Sequence, residues 1–457
     1  MSSASSPAVA GGPLPGPPAS ALGIRAACAA GAVLLALVAY LLSSVIGTRG
    51  QAACGAVAFI LVVVACSNNV RAIEWRTVWW GIALQLLVAL FILKFEVAGI
   101  QPGRILFERM GAGIEQFIGF TNAGTLFVFG GLADPAAMST VFPGGFVFAL
   151  AALPAIIFVS SFFTVLYHYG VLQLVVRLMA RVMMAVMRTS GAETLSAAAN
   201  VFMGHVESPM IVKPYVPLMT QSELHAVMVG GLATISGGMM VVYVGIGADP
   251  VAILATSVMA APCCLYLAKI LYPETENPVT RGEVRVEVER QYVNGIDAAA
   301  GGAAEGTQLA INVAAILIAF LAFIAMFDHL LGLIAPGLTM ASILAWVFTP
   351  VAILIGVDPN DIAGVADLLG TKLVANEMVA FVKLNTQYAD VMSERSQILA
   401  TYALTGFANF GSIGIQLGGI GGMAPARRGD LARLSSRALL AGFIATLINA
   451  CVAAMLL

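Results

Sequence analysis

The chain returns repeatedly to apolar runs of membrane-crossing length, at about residues 26–46, 53–66, 78–93, 146–166, 223–246, 251–271, 310–327 and 338–357. A bilayer core of roughly 30 Å needs about 20 residues of helix, so residues 53–66 read as short. Inside hydrocarbon every backbone N–H and C=O must be satisfied by the chain itself, which leaves helices or a closed barrel. Runs of this length select helices, and the reading is an all-α polytopic membrane protein. Hydrophobic residues make up 60% of the chain and charged residues 10%, where a soluble domain carries about 25% charged. Mean hydropathy is +0.95. A net charge of −2 gives no sign of nucleic-acid binding. The six cysteines (Cys28, Cys54, Cys66, Cys263, Cys264, Cys451) sit in or beside apolar runs without metal-ligand spacing and read as small packing residues.

Between the runs the pattern changes. Residues 1–20 are Ser, Ala, Gly and Pro without charge, a tail expected to be disordered. At 104–118, Leu106, Met110, Ile114 and Phe117 recur at helical spacing with Arg104, Glu108, Arg109 and Glu115 on other faces, as in a helix lying in the interface. Residues 172–187, with Arg177 and Arg181, read as a second interfacial helix ahead of Arg188. Residues 190–219 are too polar and too broken by Gly and Pro for one span. They read as a helical hairpin entering partway, turning near Gly204–Pro209, and such backbone is tolerated at depth only where protein or a watery cavity covers it. The segment 272–307 holds most of the mixed charge and is expected in water. The organisation is thus a tail (1–20), N-terminal spans with an interfacial helix (21–144), a first half (145–276), a polar loop (277–308) and a second half (309–457).

Two carboxylates stand at breaks in this apolar background: Glu207 in Gly204-His-Val-Glu-Ser-Pro, and Glu377 after Asn376. A carboxylate at mid-bilayer costs roughly 2.5–3.5 kcal/mol even on lenient scales and is kept where it meets a solute, an ion or a proton. The two halves also echo each other. Gly231-Leu-Ala-Thr-Ile-Ser-Gly aligns with Gly406-Phe-Ala-Asn-Phe-Gly-Ser, each follows a Ser-Glu pair suited to capping a helix (Ser222-Glu223, Ser393-Glu394), and each is preceded by a broken segment carrying Asn then Glu. Paired broken segments in two halves mark a binding site at a repeat interface.

Simpler readings exist for each residue. Glu207 and Glu377 could be held by backbone donors or by Lys213 and Lys372. Asn409 and Ser412 could join helices by hydrogen bonds, and Thr234 could bond back to its own helix. His168, His225 and His329 read as structural or interfacial, and His205-x-Glu207 lacks the further ligands of a metal site. Gly237-Gly238 and the run from Gly418 to Gly422 read as close-packing points. An intramembrane enzyme would need a nucleophile elbow or a His-Glu-x-x-His motif, and the sequence has neither. An open channel suits paired broken helices less well than alternating access.

Leu153-Pro-Ala-Ile-Ile-Phe, Thr189-Ser-Gly-Ala-Glu-Thr-Leu-Ser-Ala-Ala-Ala-Asn, Glu207-Ser-Pro, Lys213-Pro-Tyr, Lys269-Ile-Leu-Tyr-Pro-Glu-Thr-Glu, Asn376-Glu377 and Thr401-Tyr-Ala-Leu-Thr-Gly-Phe-Ala-Asn-Phe-Gly-Ser resemble the concentrative nucleoside transporter family. The resemblance covers about 141–276 and 370–425. It implies about eight transmembrane helices plus two re-entrant helical hairpins and interfacial helices, arranged as inverted repeats with broken helices. The second hairpin would lie near 361–392 and its broken helix near 398–422. It further implies a multi-pass protein of the plasma membrane (the inner membrane of a Gram-negative bacterium), a homotrimer, with both termini outside. The charges alone do not orient the chain, since Arg49 flanks one side of the early spans and Arg71 and Arg76 the other.

The same resemblance implies a site. The family's first hairpin reads the base through a Gly-Gln-Thr-Glu-type motif; Glu207 matches it, whereas His205 and Val206 depart. Glu377, Asn409 and Ser412 match its ribose-binding residues, and Met239 is placed with the substrate set. A carboxylate facing two vicinal hydroxyls makes charge-assisted hydrogen bonds. Asn200 and Thr234 match the side chains of its sodium site, with Met203 and Ile235 as carbonyl donors. The expectation is a nucleoside importer coupled to a cation and needing no other cofactor. Na⁺ is favoured, and His205 leaves H⁺ coupling open. The alternative substrate is another small polar solute, such as a nucleobase or a sugar-like metabolite. Loss of the amide at 205 and the hydroxyl at 206 leaves the base side with fewer polar edges.

Overall fold

The computed structural model describes residues 21–457 except 98, 135–136, 139–146, 152 and 282–291. The expected tail, the start of the run at 146, and Glu283, Arg285, Glu287, Glu289 and Arg290 lie outside the described residues. Among the described residues the chain is helical throughout, with a single isolated β-bridge between Val97 and Ile100.

The N-terminal helices are α1 (Leu22–Leu41), α2 (Ser43–Ala65), α3 (Trp75–Leu93) and α4 (Pro102–Phe129). The run expected to be short is in fact a 23-residue helix kinked at Gly47, whose backbone leaves the helical region. The small and polar residues Ser43–Gln51 hid that extension from a hydropathy reading. The segment expected in the interface is likewise longer, 28 residues from Pro102. Next come α5 (Leu153–His168) and α6 (Val171–Met187), bent by 73° to one another. Gly170 makes the corner at φ 78°, a left-handed conformation that only glycine adopts without strain.

Then the repeated set begins. The first hairpin is α7 (Gly191–Ala199), a turn, and a 3₁₀ arm (Ser208–Leu218) carrying Pro209, Pro214 and Pro217. Those prolines remove backbone donors, and the return arm is not α-helical. The expected span at 223–246 is interrupted: α8 (Gln221–Ala233) and α9 (Gly237–Gly245) are separated at Thr234-Ile235-Ser236. α10 (Pro250–Leu271) completes the set. The second set follows α11 (Gly295–Ile334) and α12 (Met340–Ile355), and runs α13 (Ile362–Val374), α14 (Glu377–Gln387), α15 (Glu394–Leu404), a break, α16 (Phe410–Met423) and α17 (Arg428–Leu456). Hairpin, broken helix, long helix: the order is the same twice.

Helix starts follow local chemistry. Ser393 caps α15 as expected, its side chain accepting from Ser396 N. The cap of α8 is Thr220 and not Ser222. Thr220 and Glu223 form a reciprocal capping box, while Ser222 donates to the Tyr272 carbonyl at 2.7 Å. α17 has no counterpart in the runs read from hydropathy, although only its first turns carry Arg428, Asp430, Arg433 and Arg437 and residues 438–457 form an uncharged run of crossing length. It nevertheless packs against α2, α8, α10 and α15, and 83% of its most apolar stretch is buried. Its Asn449 bonds Gln85 on α3 at 2.6 Å and Thr256 on α10.

Six helices among the described residues are long and apolar enough to cross a membrane, seven if the bent pair α5–α6 counts as one. Leu321–Ile334 and Ser342–Ile355 add shorter apolar stretches. Burial sorts them. The most apolar stretches of the α8–α9 pair and of α10 are 89% buried against 11% for α1, so these helices lie in the interior and α1 on the outside.

Candidate functional site

Three broken-segment residues cap the half-helices that follow them. Ser236 accepts from Met239 N (3.2 Å), Asn376 from Val379 N (2.9 Å) and Asn409 from Ser412 N (2.8 Å). Each cap satisfies an otherwise orphaned donor and leaves the positive end of a helix dipole pointing into the break.

Glu377 opens α14 and is 4% exposed. Its Oε1 accepts from the Tyr243 hydroxyl and its Oε2 from Asn409 Nδ2, both at 2.9 Å. Asn409 thus works at both ends: its oxygen holds the start of α16 while its N–H₂ meets the carboxylate. Tyr243 comes from α9 in the other repeat, is fully buried, and stacks on Phe381 with ring centroids 4.4 Å apart. Lys372 does not pair with this carboxylate. Its Nζ donates to the Ala403 carbonyl (2.7 Å) and Thr446 Oγ1 (2.9 Å) and lies 5.1 Å from the Phe443 ring centre. Lys213 is exposed.

The first hairpin tip is built differently. Ser208 Oγ donates to Asn200 Oδ1 at 2.8 Å, joining the two arms, and Gly237 N donates to the Phe202 carbonyl at 2.9 Å, tying the tip to the broken helix. Glu207 folds back to accept from Gly204 N at 2.9 Å. It faces a cavity of about 170 Å³ bounded by α5, the α8–α9 break at Ser236, and Tyr292 and Glu305. His168, read as structural or interfacial, lines the same cavity. Neither Glu377 nor Asn409 does, so this conformation does not gather the two carboxylates around one described space. His205 meets the Phe407 ring edge-on with centroids 4.7 Å apart. Val206 packs on α16, where a Cβ at Gly419 would stand 2.5 Å from it. The run from Gly418 to Gly422 stays helical, and close packing is confined to Gly419; a Cβ at Gly418 or Gly422 would meet nothing within 4 Å.

The residues matched to a sodium site collect nearby. Asn200, Met203, Thr234 and Ile235 are all buried. Thr234 Oγ1 donates back to the Gly230 carbonyl at 2.9 Å, and Asn200 Nδ2 lies against Gly230. The Thr234 carbonyl accepts from Phe407 N at 3.1 Å, so the breaks of the two repeats touch through their backbones. Gly406, at φ 151°, permits this approach: a Cβ there would sit 3.0 Å from the Ala233 carbonyl oxygen. Met239 is buried in the first turn of α9.

Sequence reasoning passed over Tyr243, Phe407 and Gln416. A tyrosine in an apolar run looks like core. Only its hydroxyl, 2.9 Å from a carboxylate 134 positions away, marks it.

Two sets of interrupted helices whose capped N-termini converge on buried polar groups define a secondary transporter. Three consecutive stretches match families described as "Na+ dependent nucleoside transporter N-terminus" (residues 54–132), "Nucleoside recognition" (149–250) and "Na+ dependent nucleoside transporter C-terminus" (252–454). An "Uncharacterized transporter" of Haemophilus influenzae is 42% identical, with 87% of this chain and 95% of that protein aligned. "Sodium/nucleoside cotransporter 1" of Mus musculus is 41% identical over 87% of this chain, and that of Homo sapiens 40%; the chain spans 62% of each. CNTnw in an inward-facing substrate-bound state superposes with a TM-score of 0.83 at 39% identity, covering 89% of this chain and 98% of that one. A CNTnw variant in an outward-facing state gives 0.85 at 38% identity, covering 90% and 98%. The chain belongs to the concentrative, Na⁺-dependent nucleoside transporter family, a family of carriers and not of enzymes.

Proposed function

We propose that this chain imports nucleosides by symport with a cation, Na⁺ being the favoured ion. The observation that carries the reading is Glu377, buried at a capped helix start and oriented by one donor from each repeat. A carboxylate so fixed, with lone pairs left over, suits the two vicinal hydroxyls of a ribose. Asn409 and Ser412 complete the ribose side, and His205, Val206 and Glu207 of the first hairpin form the base side. Asn200 and Thr234, with the Met203 and Ile235 carbonyls, supply neutral oxygens for the ion. The protein works as a homotrimer in the plasma membrane, or the inner membrane of a Gram-negative cell.

Uptake of labelled uridine, cytidine, adenosine and inosine into proteoliposomes under a cation gradient tests this. Accumulation of at least one nucleoside, with counterflow of the unchanged compound, is expected. No accumulation of any of them overturns the reading. Replacing Na⁺ by choline should abolish concentrative uptake. Uptake that survives choline and collapses with a proton uncoupler would reassign the ion.

A further inference from the structure

Two side chains that approach each other beside the first hairpin tip carry three buried hydrogen-bonding atoms without partners. They are Nδ1 and Nε2 of His205 and Oε1 of Gln416. Gln416 lies on α16, 0% exposed, and its Nε2 donates to the Met228 carbonyl at 3.0 Å. Both side chains press on one point of α8: a Cβ at Gly231 would stand 2.6 Å from Gln416 Nε2 and 2.6 Å from His205 Cβ. Glycine at 231 is what lets them approach. Buried polar atoms are ordinarily paired, so unpaired ones on neighbouring side chains at a hairpin tip call for a bonding partner from outside the chain.

We propose that Gln416 is a specificity-determining residue that, together with His205, reads the hydrogen-bonding edge of the nucleobase. This rests on the nucleoside-transport reading above. With Nε2 committed to Met228, the Gln416 amide presents an acceptor. A neutral His205 presents one N–H and one lone pair. That set complements a heterocycle edge carrying an adjacent donor and acceptor, as the lactam edges of uridine and inosine and the amino-imine edges of cytidine and adenosine do. Val206 against Gly419, one turn further along α16, holds the tip in register with Gln416.

The test compares wild type with Gln416→Met, which keeps length and helix compatibility but removes the amide. Relative uptake efficiencies for uridine, cytidine, adenosine and inosine should change by about fivefold or more, while the ratio of uridine to 3′-deoxyuridine stays unchanged. Should Gln416→Met not transport, the melting-temperature shift that each nucleoside gives the purified variant reads the same ratios. Base ratios unmoved in Gln416→Met overturn the proposal. Failure of the wild type to carry any nucleoside overturns the transport reading instead, so the two failures are told apart.

Discussion

The two hairpins occupy equivalent places in the repeat and are finished to different degrees. The second has two α-helical arms, a capped turn at Asn376, and a carboxylate whose two oxygens each meet a donor at 2.9 Å. The first has one α-helical arm and one proline-rich 3₁₀ arm, a carboxylate folded onto its own turn, and a histidine with both nitrogens unpaired. A carboxylate oriented by one donor on each oxygen is rigid and suits a feature common to all substrates. A loosely bonded tip suits the feature that varies. On this account the second hairpin recognises the sugar and the first reads the base.

The largest effect should follow from damage to the rigid side. Glu377→Gln keeps the shape but removes the charge, and bonds to a charged acceptor contribute about 1.5–3 kcal/mol each. Uptake efficiency measured in proteoliposomes is expected to fall about a hundredfold for every nucleoside. A comparable loss in Glu207→Gln with little change in Glu377→Gln would invert the comparison.

Tyr243→Phe is the next step down. It deletes one of the two donors to Glu377 and retains the stacking on Phe381. An increase of about fivefold to tenfold in KM is expected for all ribonucleosides alike, with base preference unchanged. A change confined to one base would move Tyr243 to the base side.

The smallest effect on rate, and the most informative on selectivity, belongs to the loose side. His205→Gln with Val206→Thr should shift base preference toward the family norm while total uptake of the best substrate changes only a few-fold. A double variant with wild-type preference would show that these two side chains do not read the base.

Much of this architecture is legible from residues alone, because its breaks are written in polar and small residues within apolar runs. Glu207 and Glu377 announce both tips, whereas the break at Thr234-Ile-Ser lies inside what hydropathy reads as one span. The losses have physical causes. α17 is the exception: it opens on arginines, but its buried remainder, residues 438–457, is an uncharged run that hydropathy alone displays. The cap of α8 shifts to Thr220 because Ser222 is drawn to the Tyr272 carbonyl. Tyr243 and Gln416 act across the repeat interface, and no local pattern encodes a partner that arrives from the other half of the chain.

The division of labour between the hairpins is tested most directly by competing substrates on the wild-type carrier. Proteoliposome uptake of uridine should be compared with that of 3′-deoxyuridine on one side, and with cytidine and adenosine on the other. Loss of the 3′-hydroxyl is predicted to lower uptake more than any change of base. Ready uptake of 3′-deoxyuridine together with sharp separation of uridine from cytidine or adenosine would contradict it.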